Sequence, residues 1–284
     1  MQTSDASSSA RYPLDRHGLI GTAGYTVPDL SDCKEFLFEE VGNVEWCRNI
    51  QVTGHAPGKN NRIILSPSSN LASPLRINVG PNTSEALVFI GPNCTVHGVI
   101  SIHSSRQRVI ISGGLPSVGH YGYFSAQMYN PDQLLFIGYG STTNGSTYTM
   151  GGTGTCIIIG DDCMFANNVW LQTTDSHAIV DLASGKWRNK PADIVLEPHV
   201  WLGQSVSVSK GVVMGLGSIA AAHALVVRST ERFCSVGGVP AKVLATGIAW
   251  DRKGIPSRDL VDKMKMLDAE VKPFRGQLRV ELPI

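Results

Sequence analysis

Residues 173–181 read "TTDSHAIVD" and set an aspartate two positions ahead of a histidine, inside a strict six-residue beat. Before this stretch, small or aliphatic pairs two apart recur at Ile157/Ile159, Cys163/Phe165 and Val169/Leu171. After it the pairs resume at Ile194/Leu196, Val200/Leu202, Val206/Val208, Val212/Met214, Ser218/Ala220 and Ala224/Val226. Continuing the beat past Leu171 puts Asp175 and His177 in slots that elsewhere hold apolar side chains. Burying that ionisable pair in a narrow apolar core costs on the order of several kcal/mol, so the chain is expected to leave the repeat near Asp175. The next in-phase slot, Leu196, lies 19 residues after 177 where six would do, so about 13 residues bulge out as a loop. Loops of that kind tend to carry function. A histidine there is suited to take the proton of an attacking hydroxyl, the role its imidazole most often plays in general base catalysis. Asp175 is either the carboxylate that fixes its tautomer or a turn-forming Asx residue. The competing reading of His177 is an ordinary surface histidine.

The elements that must hold this loop follow from the beat. Alternation within each pair is strand-like, and the intervening "GDD", "ANN", "EPH", "SKG" and "GLG" triplets are rich in turn formers. A short strand and a turn every six residues describe an all-β fold, a parallel β-helix with one hexad per face. A sandwich would space its turns every 8–12 residues. Weaker beats at Val88/Ile90, Cys94/Val96, Ile100/Ile102 and Leu135/Ile137 extend the helix upstream. The expected organisation is a polar lead-in (1–16), an N-terminal cap (17–75), the β-helix (76–252) and a C-terminal helix and tail (253–284). Loop insertions are expected at about 113–134 and 178–191. The cap is expected because a solenoid cannot leave its first coil open, although "RIIL" and "LRINV" within it look like strands. In the C-terminal segment Leu260, Met264, Leu267 and Val271 share a helical face, with Ser257 as N-cap; the helix closes the last coil or packs on a neighbour.

Trp201 precedes the inward Leu202 and so faces outward, where a bare indole is unusual. If Leu202 stacks over Leu171, Trp201 lies above Trp170 on one face; the competing reading is a subunit-interface aromatic. The aromatic stretch 115–129, with His120, Tyr121, Tyr123, Phe124 and Tyr129, either stacks on ligand rings or packs on the coil.

Composition narrows the class. The chain has 284 residues, 42% hydrophobic and 17% charged, with net charge +1, which gives no electrostatic case for nucleic acid or an anionic membrane. No run approaches the ~18 apolar residues of a membrane span. The N-terminal "MQTSDASSSARYPLDRHG" lacks the basic and apolar regions of a secretory signal. The six cysteines include no CxxC pair, which fits reduced thiols and a cytoplasmic setting. His97, His103, His177, His199 and His223 lack the spacing of a zinc site, and no metal is expected.

Three segments, "IGDDCMFANNVWLQTTDSH", "HVWLGQSVSVSKGVVMG" and "VGGVPAKVLATGIAW", resemble the hexapeptide-repeat acyltransferases, above all the bacterial capsular-polysaccharide and sialic-acid O-acetyltransferases. The resemblance spans roughly residues 135–252. It implies a left-handed β-helix, a homotrimer, acetyl-CoA as donor, and active sites shared between adjacent subunits. It places the catalytic base on His177 and sets Trp201 beside the active site. It draws the donor along Gly203, Ser205, Ala221 and Ala222 and the "GGVPAK" loop with Gly238, Pro240 and Lys242. Lys242 and Lys210 are candidate partners for CoA phosphates, Lys210 being otherwise a solvated surface lysine. Val239 stands where the family has asparagine, so a side-chain hydrogen bond is missing there. Oxyanion stabilisation is open among a backbone amide, Gln204, Ser205 and Asn168. The implied activity is acetyl-CoA-dependent O-acetylation of a saccharide acceptor, a surface polysaccharide or its precursor. The alternatives are an N-acetyltransferase acting on a nucleotide-linked amino sugar and a non-catalytic β-helix that binds carbohydrate or serves in assembly.

Overall fold

The computed structural model describes residues 16–278 except 28, 39–41, 45–46, 56, 70, 72–73, 82 and 116–121, and leaves the side chains of 42–44 and 47–48 undescribed. The lead-in up to residue 15, and His120 and Tyr121, therefore lie outside the described residues. Among those described, the chain winds through three sheets of eight, six and nine strands. One coil shows the order: Ile194–Leu196 lies on face I, Trp201–Leu202 on face II and Ser207–Val208 on face III. The next coil repeats it with Val213–Met214, Ile219–Ala220 and Leu225–Val226, each parallel to the strand beneath.

Tight corners make this winding possible. The last residue of each turn triplet has a left-handed backbone: Asp162, Asn168, His199, Ser205 and His223 have φ between 56° and 60°, and Gly211 and Gly217 have φ of 75° and 68°. Glycine, asparagine and aspartate tolerate that region best, which explains much of the triplet composition. Between corners the alternating slots point inward. Ile157, Ile159, Phe165, Leu171, Leu196, Leu202 and Met214 are at most 2% exposed and belong to one continuous core. Each such side chain contributes roughly 1.5–3 kcal/mol on burial.

The stack is longer than the hexad beat indicates. Cys47–Gly54 pairs in parallel with Leu75–Val79, and Arg62–Leu65 with Leu87–Ile90. The helix thus begins inside the segment 17–75 expected to be a cap. Capping falls to reversed strands: Lys34–Leu37 runs antiparallel on Arg62–Leu65, and Gly42–Val44 antiparallel on Cys47–Gly54. At the other end Lys242–Thr246 runs antiparallel on Cys234–Gly237. The projecting loop expected over 113–134 is also shorter, because Gly122–Met128 is a face III strand and Phe124 is fully buried in the core. Upstream coils have longer corners: equivalent face I residues Leu87, Arg108, Leu134 and Cys156 are 21, 26 and 22 apart.

Face I is apolar on its outer side too. Phe89, Ile110, Phe136 and Ile158 form a second cluster with Tyr25 from the N-terminal segment and with Val271, just after the helix Leu260–Glu270. That segment is tied down at Asp193, whose carboxylate accepts bonds from Arg16 Nε (2.8 Å) and the Cys156 amide (2.8 Å). The helix itself has no buried residue, and its N-cap is Asp259 rather than Ser257. No helix among the described residues is long and apolar enough to cross a membrane.

Candidate active site

The repeat breaks after Thr173, and the chain returns at Ala192, whose amide donates to the Thr173 carbonyl (3.0 Å). The insertion therefore covers 174–191, four residues more at its start than expected. From Ile157 to Ile194 is 37 residues, against 18 for the next coil, an excess of 19. Between these ends the chain forms a hairpin. Val180 bridges Trp187 antiparallel, the Arg188 amide donates to the Ile179 carbonyl (2.8 Å), and the Asp181 amide donates to the Lys186 carbonyl (2.9 Å).

His177 sits at the foot of this hairpin with an exposed side chain and a pinned backbone. Its amide donates to the Asp175 carbonyl (2.7 Å) across Ser176, whose φ is 64°. Its carbonyl accepts from Asn189 Nδ2 (2.8 Å). Asn189 is the hub: Nδ2 also donates to Asp175 Oδ2 (2.8 Å), while Oδ1 accepts from the Ile179 amide (2.6 Å) and Trp187 Nε1 (2.9 Å). All four hydrogen-bonding positions of a carboxamide are thus used. Lys210, at the corner of the following coil, donates to Asp175 Oδ2. Burial pushes the Asp175 carboxyl up, but hydrogen bonds from Lys210 and Asn189 and the lysine's charge outweigh it and hold the group below the usual carboxylate range. Asp175 accordingly anchors the hairpin, and its described bonds do not reach the imidazole. Lys210 is an ion-pair partner, not a solvated surface lysine.

Trp201 is 36% exposed on face II, over Met164 and under Ile219. Trp170 is on face III, under Ser207, so the two indoles do not stack on one face. The expectation failed because this coil exceeds the 18-residue repeat by 19 residues, not 13, which shifts Leu202 over Phe165 instead of Leu171. Trp201 is instead braced by Trp250, 5.9 Å away between centroids. Trp250 is buried and stacks on His199 at 3.9 Å; its Nε1 donates to the His199 carbonyl (2.9 Å). The His199 ring lies 2.7 Å from Asp162 Oδ2 and 3.0 Å from the Trp250 carbonyl. Arg252 donates to Asp162 (2.6 Å) and to the carbonyls of Gly140 and Cys163 (3.0 and 2.8 Å). Asp162 is pushed up by burial and pulled further down by His199 and Arg252, ending below its ordinary range. Trp250 and Arg252 carry no local sequence signal, because their partners are set by the coil stacking, and Asn189 carries none because its partners are set by the fold of the hairpin.

The residues assigned to the donor cluster at the corner between faces II and III. Gly203, Ser205, Ala221 and Ala222 occupy successive turns there, and the Gly203 amide donates to the Ala220 carbonyl (2.9 Å). A Cβ on Gly203 would stand 2.8 Å from the Ala222 amide nitrogen, so only glycine lets the coils close. Gly238 and Pro240 continue the corner, the Leu225 amide donating to the Gly238 carbonyl (3.0 Å), and Lys242 is exposed on the reversed strand. Asn168 Nδ2 donates to Ser205 Oγ (3.1 Å). The His177 hairpin leaves the opposite corner, between faces III and I. Face III separates the two, so a single chain does not bring His177 to Trp201 or to the donor corner. A cavity of about 810 Å³ beside the hairpin is lined by Trp187, Arg188, Lys190 and Lys210 among others. No group of three metal-ligating side chains occurs among the described residues.

A parallel β-helix of six-residue repeats, interrupted by a histidine-bearing hairpin, defines the class of hexapeptide-repeat acyltransferases. No family model matches the chain. It is 30% identical over 155 residues to a polysialic acid O-acetyltransferase of Neisseria meningitidis, covering 54% of this chain and 68% of that protein. It is 36% identical over 96 residues to a polysialic acid O-acetyltransferase of Escherichia coli O1:K1 / APEC, covering 34% of this chain and 31% of that protein. The chain belongs to the hexapeptide-repeat acetyltransferase family that contains these polysialic acid O-acetyltransferases. It spans about a third of the length of the Escherichia coli relative. Among solved structures, the polysialic acid O-acetyltransferase OatWY aligns with a TM-score of 0.49 at 22% identity, over 78% of this chain and 99% of that one.

Proposed function

We propose that this chain is an acetyl-CoA-dependent O-acetyltransferase acting in the cytoplasm on an acidic surface polysaccharide, polysialic acid being the acceptor that its relatives' names suggest. The observation that carries the reading is the four-bonded Asn189 clamp with the Asp175–Lys210 pair, which holds His177 at the foot of a hairpin in a family of acetyltransferases. The acceptor hydroxyl oxygen attacks the thioester carbonyl carbon while the imidazole of His177 takes its proton. The tetrahedral adduct collapses, the carbon–sulfur bond breaks, and the CoA thiolate leaves with that proton. No acyl-enzyme is needed, since orientation of two bound substrates supplies much of the acceleration.

The active site is composite in this reading. The hairpin of one subunit of a homotrimer reaches toward Trp201 and the Ala221–Ala222 corner of the next, which supplies the backbone-lined groove for CoA. The hairpin's exposed Ile179, Val180 and Leu182 (58, 50 and 102%) are apolar surface that a neighbour would cover. Arg188 and Lys190 beside it favour an anionic acceptor. Purified His177→Ala is expected to keep its fold and subunit mass but to lose acetyl transfer by about 10²–10⁴-fold, the usual share of a general base. Near-normal turnover of that variant would remove His177 from the mechanism.

A further inference from the structure

The outer sides of faces I and III differ in kind. Face I presents Phe89, Ile110, Phe136 and Ile158 and is covered by the chain's own termini. Face III presents a ladder of hydroxyls and amides in register: Asn78, Ser101, Gln127, Thr149 and Gln172 follow one another on successive coils. Three aromatic rings stand out of this ladder, Tyr123, Tyr129 and Trp170, at 48, 48 and 43% exposure. Each is braced by a second contact. Tyr129 stacks on His103 at 5.5 Å and 7° and donates its hydroxyl to Gln127 Oε1 (2.9 Å). Tyr123 lies against His97 at 5.5 Å, and Trp170 Nε1 donates to Thr149 Oγ1 (3.0 Å). The rings are thus held in place before any ligand arrives.

Charge and continuity say what such a face would take. The face III strands 75–79, 96–102, 122–128, 146–150 and 169–172 contain no aspartate or glutamate, while Arg76 and His97 lie within them and His103 follows directly. The hairpin at the end of the ladder adds Arg188 and Lys190. Along those strands an anionic chain meets no like charge, and at the hairpin Asp175 is paired with Lys210. The corner row leads to the candidate base: His103 stacks on Tyr129, the Tyr129 amide donates to the Met150 carbonyl (3.3 Å), and Gly151 clears space for Thr174, the first residue of the insertion. Coils rise about 4.8 Å each, so Tyr129 and Trp170, two coils apart, stand about 10 Å apart along the axis. Trp170 stacks in the row of Ser125, four residues or about 13 Å along the strand from Tyr129, so the rings suit sugars several units apart on an extended glycan, with hydrogen-bonding side chains between them.

We propose that the outer surface of face III is a binding track for an extended anionic polysaccharide, running over Tyr123, Tyr129 and Trp170 to the His177 hairpin. It rests on the O-acetyltransferase reading for its link to catalysis, but not for binding itself. The test uses polysialic acid of graded length, with dextran as a neutral control. Direct binding of wild type and of Tyr129→Ala, Tyr123→Ala and their combination is measured, and KM is then determined on long chains and on oligomers too short to leave the hairpin. Loss of one braced aromatic is expected to weaken long-chain binding about tenfold, with KM rising far more for long chains than for short ones. Wild type that binds polysialic acid no better than dextran overturns the track, as does an equal loss on long and short acceptors. A change in subunit mass in the variants would make the face an interface instead, which also overturns it. Wild type that binds polysialic acid in a way sensitive to Tyr129 but transfers no acetyl group would sink the enzymatic reading and leave the track standing.

Discussion

Replacing Asn189 by alanine removes four hydrogen bonds at once from the hairpin that carries His177. At roughly 0.5–1.5 kcal/mol net for each, discounted because the site is only half-buried, the hairpin should lose about 2–4 kcal/mol of local stability. The β-helix core does not touch Asn189, so global melting should move little. Transfer should fall by about 10–100-fold in kcat, because the base is released from its orientation, while KM for acetyl-CoA stays nearly constant. Asn189→Asp sharpens the argument. It keeps the acceptor oxygen for Ile179 and Trp187 but loses both donors and sets a carboxylate against Asp175. It should therefore be at least as impaired as the alanine variant near neutrality. CoA thiol release followed continuously reads the rate, and limited trypsin digestion at Lys186 and Arg188 reads the order of the hairpin. An alanine variant with wild-type kcat and an equally protease-resistant hairpin would refute the idea that this clamp positions His177.

Lys210→Met leaves Asp175 with only Asn189 and should open the hairpin to trypsin without unfolding the coils. Because the Asp175 carboxyl is depressed in the folded chain, its contribution is fully present above about pH 3.9 and is lost as pH falls below that through the folded value. Pepsin susceptibility of the hairpin should rise in that window in wild type, and Lys210→Met should flatten the rise. Gly203→Ala would drive a methyl group to 2.8 Å from the Ala222 amide nitrogen and 3.0 Å from the Ala220 carbonyl oxygen, both backbone. It should cost roughly 1–3 kcal/mol in a denaturant titration and raise KM for acetyl-CoA. Trp250→Ala removes a buried ring that braces Trp201, at roughly 3–5 kcal/mol. Trp201 fluorescence should then red-shift, and an unchanged spectrum would show that Trp201 holds its place unaided.

Much of this architecture was legible because 18-residue coils repeat the hexad without remainder. From Ile194 to Val226 every inward pair falls where the beat puts it. Upstream, coils of 21 to 26 residues keep the alternation but lose the phase, since extra residues accumulate at the corners. That is why "RIIL" and "LRINV" looked like strands yet could not be placed in the stack. The break at Asp175 was readable, since two ionisable residues in core slots cannot stay there. Its length was misjudged by treating position 177 as an occupied slot, and the error carried straight into the placement of Trp201 over Trp170. Asn189 and the His199–Trp250–Arg252 assembly were beyond reach: Asn189 meets its partners only when the hairpin folds, and the partners of Trp250 and Arg252 lie as far as 51 and 112 residues away and meet only once the coils have stacked.

The strands that reverse direction at the two ends of the stack bear on how the molecule behaves in a crowded solution. A parallel β-helix ends in rows of unpaired amides and carbonyls, and a second molecule could add its own coil there as readily as the chain adds its next one. Lys34–Leu37 and Gly42–Val44 occupy the first rows of faces I and III, and Lys242–Thr246 the last row of face II, in the wrong direction for such growth. Edges managed in this way resist strand-by-strand addition. Growth at those three edges is thereby blocked, and deletion of 242–246 should show as concentration-dependent elongation before any loss of secondary structure.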